Sequence, residues 1–209
     1  MRRALVHLKQ SDPVLARIIT QVGAFRMSYR EPSFEAMTRS IVFQQLAGKA
    51  AATIFDRFFC ACMNGNGKGS EPATCLTPES VLALSEEQMR ACGLSRQKLA
   101  YIRDLAEKTR SGAINFEQLP GMSDDEVIAH LTEVKGIGVW SAQMFLMFGL
   151  RRPDVMPVTD YGIRVAIRTH YRKRKLPLPA PMLKISEPWR PYRSIACWYL
   201  WQSLDVTTA

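Results

Sequence analysis

A short stretch between two helical patterns carries residues suited to binding an anion. In LTEVKGIGVWSAQMF, Gly136 and Gly138 flank Ile137, and Lys135 comes directly before them. Glycine has no Cβ, so its amide can approach a phosphate closely, and the helix that follows adds N–H groups and the positive end of its dipole. The pattern predicts a helix-hairpin-helix whose turn binds phosphate. The alternative is an ordinary hairpin of two helices with glycines for a tight turn.

Other positions carry side chains whose chemistry depends on where the fold places them. Asp160 begins a predicted helix about twenty positions after the hairpin, where an Asp is ordinarily a helix cap. Trp140 and Trp201 lie in helical segments, where aromatic rings ordinarily pack in a core. Leu46 stands at a helix end before Ala47-Gly48, which suits an exposed tip, although a lone Leu is ordinarily a core residue.

The composition narrows the class of partner. The chain has 209 residues, 47% of them hydrophobic, which is enough for a core, and its formal net charge is +9. This charge favours a polyanion, nucleic acid before a membrane surface, whereas the alternative is a basic surface that only maintains solubility. The five cysteines form no C-x-x-C pair, and the three histidines are isolated, so we expect reduced thiols and no zinc site. The start of the chain has no apolar signal segment, and we expect a soluble intracellular protein, in a bacterial cytoplasm or nucleoid or a eukaryotic nucleus.

The elements that must position these residues are helices. Capping boxes at Ser85 and Ser123 predict helix starts, and Gly93 and Gly112 predict helix ends, while strand signals hardly appear. The segment NGNGKGSEPATC has the composition of an exposed loop. We therefore predict an all-α bundle of about eight to ten short helices. We expect a single domain over residues 1–209, with the hairpin motif in about 123–150 and a Gly/Pro-rich loop leading to Asp160 in about 151–162.

The combined motifs resemble the helix-hairpin-helix (HhH-GPD) DNA glycosylase superfamily. The residues that carry this resemblance are Gly136-Ile137-Gly138, Ala142, Pro157, Asp160 and Gly162. The segments SIVFQQLAGKAAATIF, GLSRQKLAYIRDLA and PYRSIACWYLW are similar to the 3-methyladenine DNA glycosylase II branch, so the resemblance extends from Ser33 to Leu204. The chain departs from the family at Lys135, where a Pro is usual, at Thr159, where some relatives have a second Asp, and in lacking the N-terminal α/β domain of larger relatives.

The resemblance implies a glycosylase that flips alkylated purines of the 3-methyladenine and 7-methylguanine type out of duplex DNA and hydrolyses the N-glycosidic bond. Asp160 matches the catalytic Asp, whose carboxylate stabilises an oxocarbenium-like transition state. The residues implied for the substrate pocket are Trp140, Met144 and Trp201. Those implied for DNA contact are Lys135, Gly136, Ile137, Gly138, Ser141, Gln45 and the wedge residue Leu46. Members that also cleave the strand have a Lys where this chain has Trp140, so the pattern implies an enzyme without lyase activity. Arg193 and Ser194 are implied to be structural residues that tie the last helix to the bundle.

The resemblance also sets expectations for cofactors and partners. Relatives bind a monovalent cation, and the matching ligands for Na⁺ or K⁺ are the backbone carbonyls of Thr132, Val134 and Gly136. No cofactor is required, and no Fe–S cluster is expected because that branch needs four clustered C-terminal cysteines and only Cys197 lies there. The expected partner is double-stranded DNA containing alkylated bases, bound by a monomer with no membrane association. The alternatives are a non-enzymatic helix-hairpin-helix DNA-binding module and a glycosylase for mismatched or oxidised bases.

Overall fold

The described part of the chain is entirely helical apart from its loops. The structure, a computed structural model, describes residues 1–64 and 75–206, and within them it shows no strand. The helices are α1 (Arg2–Ser11), α2 (Pro13–Val22), α3 (Phe34–Phe43), α4 (Gly48–Asn64), α5 (Pro78–Leu82), α6 (Glu86–Ala91), α7 (Arg96–Arg110), α8 (Asp124–Thr132), α9 (Val139–Phe148), α10 (Tyr161–His170), α11 (Pro179–Ser186) and α12 (Arg193–Val206). The all-α prediction is confirmed.

The helix count in the described ranges is higher than the sequence predicts. Twelve α-helices form, and the additional ones include α1 and α11, neither of which has a capping side chain at its N-terminus. Their helical conformation therefore lacks the local start signal on which the sequence prediction depends. The predicted loop NGNGKGSEPATC falls largely on residues 65–74, outside the described residues. Every helix in the described ranges is too short or too polar to span a lipid bilayer.

Several helices begin at a capping residue that the sequence supplies. Ser123 accepts a hydrogen bond from the Glu126 amide, and the Glu126 carboxylate accepts one from the Ser123 amide. Ser85 and Gln88 make the same reciprocal pair at the start of α6. Because both partners are three residues apart, these starts are fixed by local sequence, and both predicted capping boxes are confirmed.

The residues divide into two compact units. The first comprises residues 1–29 and 146–206; in it α2 and α10 both pack on α12, and α1 packs on α2. Trp189 and Tyr199 are its largest fully buried side chains. Arg193, at the start of α12, donates to the Asp154 carboxylate from Nε at 2.7 Å, and the Ser194 hydroxyl donates to the Arg152 carbonyl at 2.7 Å. These contacts confirm that Arg193 and Ser194 have a structural role.

The second unit comprises residues 30–145 and is organised around α7. This helix packs on α3, α5 and α6, and α3 also packs on α4. Leu99, Ile102 and Leu105 recur every three residues along α7 and are buried, so this stripe faces the core. An adjacent face of the same helix reaches the segments that carry the predicted DNA contacts. The assignment of residues 1–209 to one domain stays a prediction.

Candidate functional site

Asp160 is a buried carboxylate that begins α10. It is only 7% exposed, and its Oδ1 accepts a hydrogen bond from the Ile163 amide at 2.8 Å, which makes it the N-cap of the helix. The same oxygen accepts a second hydrogen bond from the indole Nε1 of Trp201 at 2.9 Å. Two donors from different helices therefore fix the orientation of this carboxylate. The structure thus brings two predicted site residues, Asp160 and Trp201, into direct contact.

Trp201 is held in place by its ring as well as by its indole N–H. Its ring stacks on Phe148 with centroids 5.9 Å apart and planes inclined by 25°. Gly162 lies directly beside this contact, because a Cβ at this position would stand 3.0 Å from Cδ1 of Trp201 and 3.3 Å from Oδ1 of Asp160. A glycine therefore favours the close approach of α10 to the Trp201 ring, because a Cβ would make the ring shift by a few tenths of an ångström.

A second Asp in the same unit, Asp12, is also a buried helix cap that accepts a hydrogen bond from an indole. Asp12 is also 7% exposed and is the N-cap of α2, with Oδ1 accepting from the Val14 and Leu15 amides. Its Oδ2 accepts from Trp189 Nε1 at 2.9 Å and from the Tyr171 hydroxyl at 2.6 Å. Four donors thus occupy both oxygens of Asp12. A buried capping Asp with an indole partner is therefore not by itself a catalytic group.

The predicted hairpin forms between α8 and α9, and its two glycines have different structural needs. Gly136 has φ +80°, and a Cβ there would overlap the ring of Tyr101, so the fold itself requires glycine at this position. Gly138 is exposed, and a Cβ there would meet no atom within 4 Å. The first turn of α9 closes on Gly138, whose carbonyl accepts from the Ala142 amide. The open space at Gly138 beside a helix N-terminus is the part of the hairpin that suits an incoming anion.

Asp104 on α7 holds the hairpin through its contacts with Lys135. Its carboxylate accepts from the Lys135 amide at 2.9 Å and lies 3.5 Å from the Lys135 ammonium, and the Lys108 ammonium lies 2.7 Å away. Burial would raise the pKa of Asp104, but the hydrogen bonds from Lys108 and the Lys135 amide, together with both ammonium charges, bring the pKa below its ordinary value. The Lys135 side chain stays 71% exposed and so remains accessible to an anion.

The turn between α3 and α4 presents the predicted wedge. We call residues Gln44–Leu46 the wedge loop; Leu46 at its tip is 40% exposed, so it is not a core residue. Gln45 is exposed and has φ +57°, a left-handed conformation that is uncommon for a residue other than glycine. Between the wedge loop and the hairpin lies a groove of about 530 Å³, whose lining residues include Gln45, Tyr101, Trp140 and Ser141.

The remaining predicted site residues differ in exposure. Trp140 is 43% exposed at the start of α9, which excludes the core alternative for this ring, and Met144 one turn later is half-buried. Ile137 is only 4% exposed, so its side chain anchors the hairpin and only its backbone is available for DNA contact. Ser141 is 8% exposed and reaches the surface only at the groove.

The three carbonyls implied for a cation are not equivalent. The Val134 carbonyl accepts from the Ile137 amide at 3.1 Å, within the hairpin turn. The Gly136 carbonyl accepts from the side-chain amide of Gln44 at 3.0 Å. A carbonyl oxygen has two lone pairs, so a single hydrogen bond leaves one of them for another ligand. The backbone carbonyls of Thr132, Val134 and Gly136 therefore stay predicted ligands of a monovalent cation. Within residues 1–64 and 75–206, no group of three or more His, Cys, Asp or Glu side chains could hold a metal ion.

Comparison with known proteins decides the family. The profile of the HhH-GPD superfamily of base excision DNA repair proteins matches residues 38–191, a range that contains the wedge loop, the hairpin and Asp160. The chain belongs to this superfamily. It is 38% identical to DNA-3-methyladenine glycosylase 1 of Schizosaccharomyces pombe over 208 residues, which cover 97% of this chain and 87% of that protein.

Solved HhH-GPD structures have the same fold. The S. pombe 3-methyladenine DNA glycosylase Mag1 in complex with abasic DNA is 39% identical, with a TM-score of 0.78 and 95% of each chain covered. DNA-3-methyladenine glycosidase from Bacillus halodurans is 32% identical, with a TM-score of 0.81, 95% of this chain and 87% of that one covered. The resemblance to the 3-methyladenine glycosylase branch of the HhH-GPD superfamily is therefore confirmed.

The structure also shows residues in contact with the predicted site residues that sequence reasoning missed. Gln44, Lys98 and Tyr101 contact the wedge loop or the hairpin, and Phe148 supports the ring of Trp201. Lys98 and Tyr101 lie in GLSRQKLAYIRDLA, a segment that carries part of the family resemblance. Their place in this segment could have marked them as candidate site residues. The segment itself does not indicate which distant backbone atoms they contact.

Proposed function

We propose that this protein is a DNA glycosylase that removes alkylated purines, of the 3-methyladenine and 7-methylguanine type, from duplex DNA. The observation that carries the proposal is Asp160, a buried carboxylate at the position of the family's catalytic Asp, oriented by Ile163 and Trp201. The name of the S. pombe relative, DNA-3-methyladenine glycosylase 1, supports the same class of base. A substrate of this kind places the protein with the DNA, in a bacterial nucleoid or a eukaryotic nucleus.

The proposed reaction breaks the bond between the base and the sugar. The purine leaves with the electron pair of the N-glycosidic bond, and C1′ of the sugar develops positive charge that the Asp160 carboxylate stabilises. A water molecule adds to C1′, and its proton passes to Asp160 or to solvent. An alkylated purine is already cationic, so it leaves as a neutral base and needs no general acid. A single carboxylate is therefore sufficient for this substrate class.

The other site residues bind the DNA and the extruded base. The exposed Gly138 at the N-terminus of α9 and the exposed ammonium of Lys135 bind backbone phosphates without reading sequence. Leu46 at the tip of the wedge loop fills the gap that the extruded nucleotide leaves in the duplex. The family resemblance assigns Trp140, Met144 and Trp201 to the pocket for the cationic purine, and an aromatic face attracts a positive charge.

We further propose that the enzyme leaves an intact abasic site. Strand cleavage in this superfamily needs an amine that forms a Schiff base, and Trp140 occupies that position here. An indole nitrogen carries no nucleophilic lone pair for that reaction. Borohydride added during turnover is therefore expected to trap no covalent protein–DNA adduct, whereas a trapped adduct would show lyase activity.

Three further features are proposed together. The whole chain of 209 residues acts as one glycosylase domain and as a monomer, and the Thr132, Val134 and Gly136 carbonyls contribute to a site for Na⁺ or K⁺. The cation would neutralise a phosphate beside the hairpin. Excision measured in Na⁺, K⁺ and tetramethylammonium buffers of equal ionic strength would detect it, since tetramethylammonium is too large for a carbonyl site.

The decisive experiment for the function is release of bases from methylated duplex DNA. Purified protein is incubated with DNA treated with a methylating agent, and the released bases are identified by chromatography beside an untreated duplex. Release of 3-methyladenine or 7-methylguanine is expected. Binding without release would instead identify a DNA-binding module, and release only from mismatched or oxidised duplexes would identify a different base specificity.

A further inference from the structure

Lys98 is a half-buried cation whose ammonium group is directed at the wedge loop. It donates to the Val42 carbonyl at 2.6 Å and to the Gln44 carbonyl at 2.7 Å, and both carbonyls lie at the C-terminal end of α3. Burial lowers the pKa of Lys98, so this amine is held in surroundings that disfavour its charge. The two hydrogen bonds from this ammonium group stabilise the C-terminal end of α3.

The residue immediately after these carbonyls is strained. Gln45 has φ +57° although it is not a glycine, and its side chain is exposed. Backbone strain of this kind persists only where the surroundings determine the conformation. Here the Lys98 contact lies on the peptide that joins Gln44 to Gln45, so it holds the turn that presents Leu46.

A second tether joins the wedge loop to the hairpin. The Gln44 side-chain amide donates to the Gly136 carbonyl at 3.0 Å, across 92 positions of sequence. The ring of Tyr101 packs against Gly136, and its hydroxyl accepts from Gln97 Nε2 at 2.6 Å. Lys98 and Tyr101 are three residues apart on α7 and so lie on one face of that helix.

We propose that Lys98 and Gln44 are positioning residues for base extrusion, which hold the wedge loop in its inserting conformation and couple it to the phosphate-binding hairpin. This inference rests on the proposed function. A loop that is already ordered before DNA arrives loses little conformational entropy when Leu46 enters the duplex. Without Lys98 the loop must become ordered during extrusion, so the rate of extrusion falls while the carboxylate chemistry is unchanged.

The test compares Lys98→Met with Arg103→Met, a matched control on the same helix. Arg103 is also half-buried, and its Nη2 donates to the Leu84 carbonyl at 2.6 Å, away from the wedge loop and the hairpin. Both variants are expected to melt about 2–8 °C lower than the wild type. Only Lys98→Met is expected to slow single-turnover excision of a paired lesion, by about tenfold.

A comparison of paired and mispaired lesions distinguishes loss of wedge-loop positioning from general damage to the fold. With the lesion opposite a mismatched base, less unstacking is needed, and the deficit of Lys98→Met is expected to shrink to about twofold. Lys98→Arg keeps a cationic donor and should recover most of the rate. Gln44→Glu replaces the amide donor by a carboxylate facing the Gly136 carbonyl, and it should show the same dependence on pairing. An equal deficit on paired and mispaired lesions, or equal rates for Lys98→Met and Arg103→Met, would overturn the proposal.

Extrusion can also be followed without chemistry. The fluorescence of 2-aminopurine in the duplex rises when the base is unstacked, and the rise on binding should be smaller for Lys98→Met than for Arg103→Met. This fluorescence measurement tests the positioning role of Lys98 separately from the proposed glycosylase activity. If the wild type releases no base but the variants differ in fluorescence, the proposed enzymatic function fails and the positioning role stands; if they do not differ, the positioning role fails.

Discussion

Replacement of Asp160 by Asn separates its structural role from its chemical one. Oδ1 of Asp160 accepts hydrogen bonds from the Ile163 amide and from the Trp201 indole, and the amide oxygen of Asn can accept both. Asn also caps helices about as well as Asp. The substitution therefore preserves the cap and the contact with Trp201, while it removes the negative charge beside the sugar.

The magnitudes predicted for the two roles differ. Loss of the charge at the N-terminus of α10, and of charge assistance in two hydrogen bonds, should lower the free energy of unfolding by about 1 kcal/mol, or about 2–4 °C in the melting temperature. Loss of one preorganised electrostatic group in a buried site should slow base release by about a hundredfold or more, equivalent to about 2.7 kcal/mol of transition-state stabilisation.

Asp12→Asn is the matched control, because Asp12 is an equally buried capping Asp with an indole partner. Its Oδ2 accepts from both Trp189 and Tyr171, so an amide nitrogen at this position leaves the Trp189 N–H without an acceptor. We expect a stability loss of about 2 kcal/mol or more with near-normal excision. The opposite pattern is expected for Asp160→Asn.

The assay measures single-turnover excision, duplex affinity and thermal melting on the same preparations. Affinity should be unchanged in Asp160→Asn, since the hairpin is intact. Near-normal excision by folded Asp160→Asn protein, or an equal loss of rate in both variants, would refute the catalytic role of this carboxylate.

The remaining predictions concern the hairpin, the wedge and the contact with Trp201. Gly138→Val adds a side chain in open space, so the fold should be kept while affinity for any duplex falls about tenfold or more in filter binding; wild-type affinity would refute the phosphate contact. Leu46→Ala should change stability by less than about 1 kcal/mol, because Leu46 is exposed, but should slow excision of paired lesions more than of mispaired ones. Gly162→Ala gains about 1 kcal/mol of helix propensity but crowds the Trp201 ring, so the melting temperature should change little. The rate of excision should fall because the ring is displaced. An unchanged rate would contradict the importance of this close approach. Asp104 has a lowered pKa in the folded state, so its contribution to stability is present above the ordinary pKa of 3.8 and is lost as the pH falls through the folded value. The difference in melting temperature between wild type and Asp104→Asn should therefore be constant from pH 5 to 7, and shrink only below about pH 4; a difference that grows on acidification would contradict the sign of this shift.

The sequence by itself determined the features that depend on neighbours a few residues apart. Ser123 and Glu126 cap α8 with bonds between residues three positions apart, so the start of that helix can be read directly from the letters. The hairpin glycines and their spacing to Asp160 indicated the family, because a turn and the helix after it are local structures. The positive φ of Gly136 agrees with that interpretation.

Only the tertiary structure decided which side chains face solvent and which distant atoms they contact. Composition and periodicity could not separate exposed Trp140 and Leu46 from buried Ile137, because each lies in or beside a helix with apolar residues on several sides. The contacts from Lys98 to the Gln44 carbonyl, 54 positions away, and from Gln44 to Gly136, 92 positions away, depend on how α7 packs against α3 and the hairpin. Such contacts form between backbone groups and side chains that only packing brings together, and backbone carbonyls have no signature in the sequence.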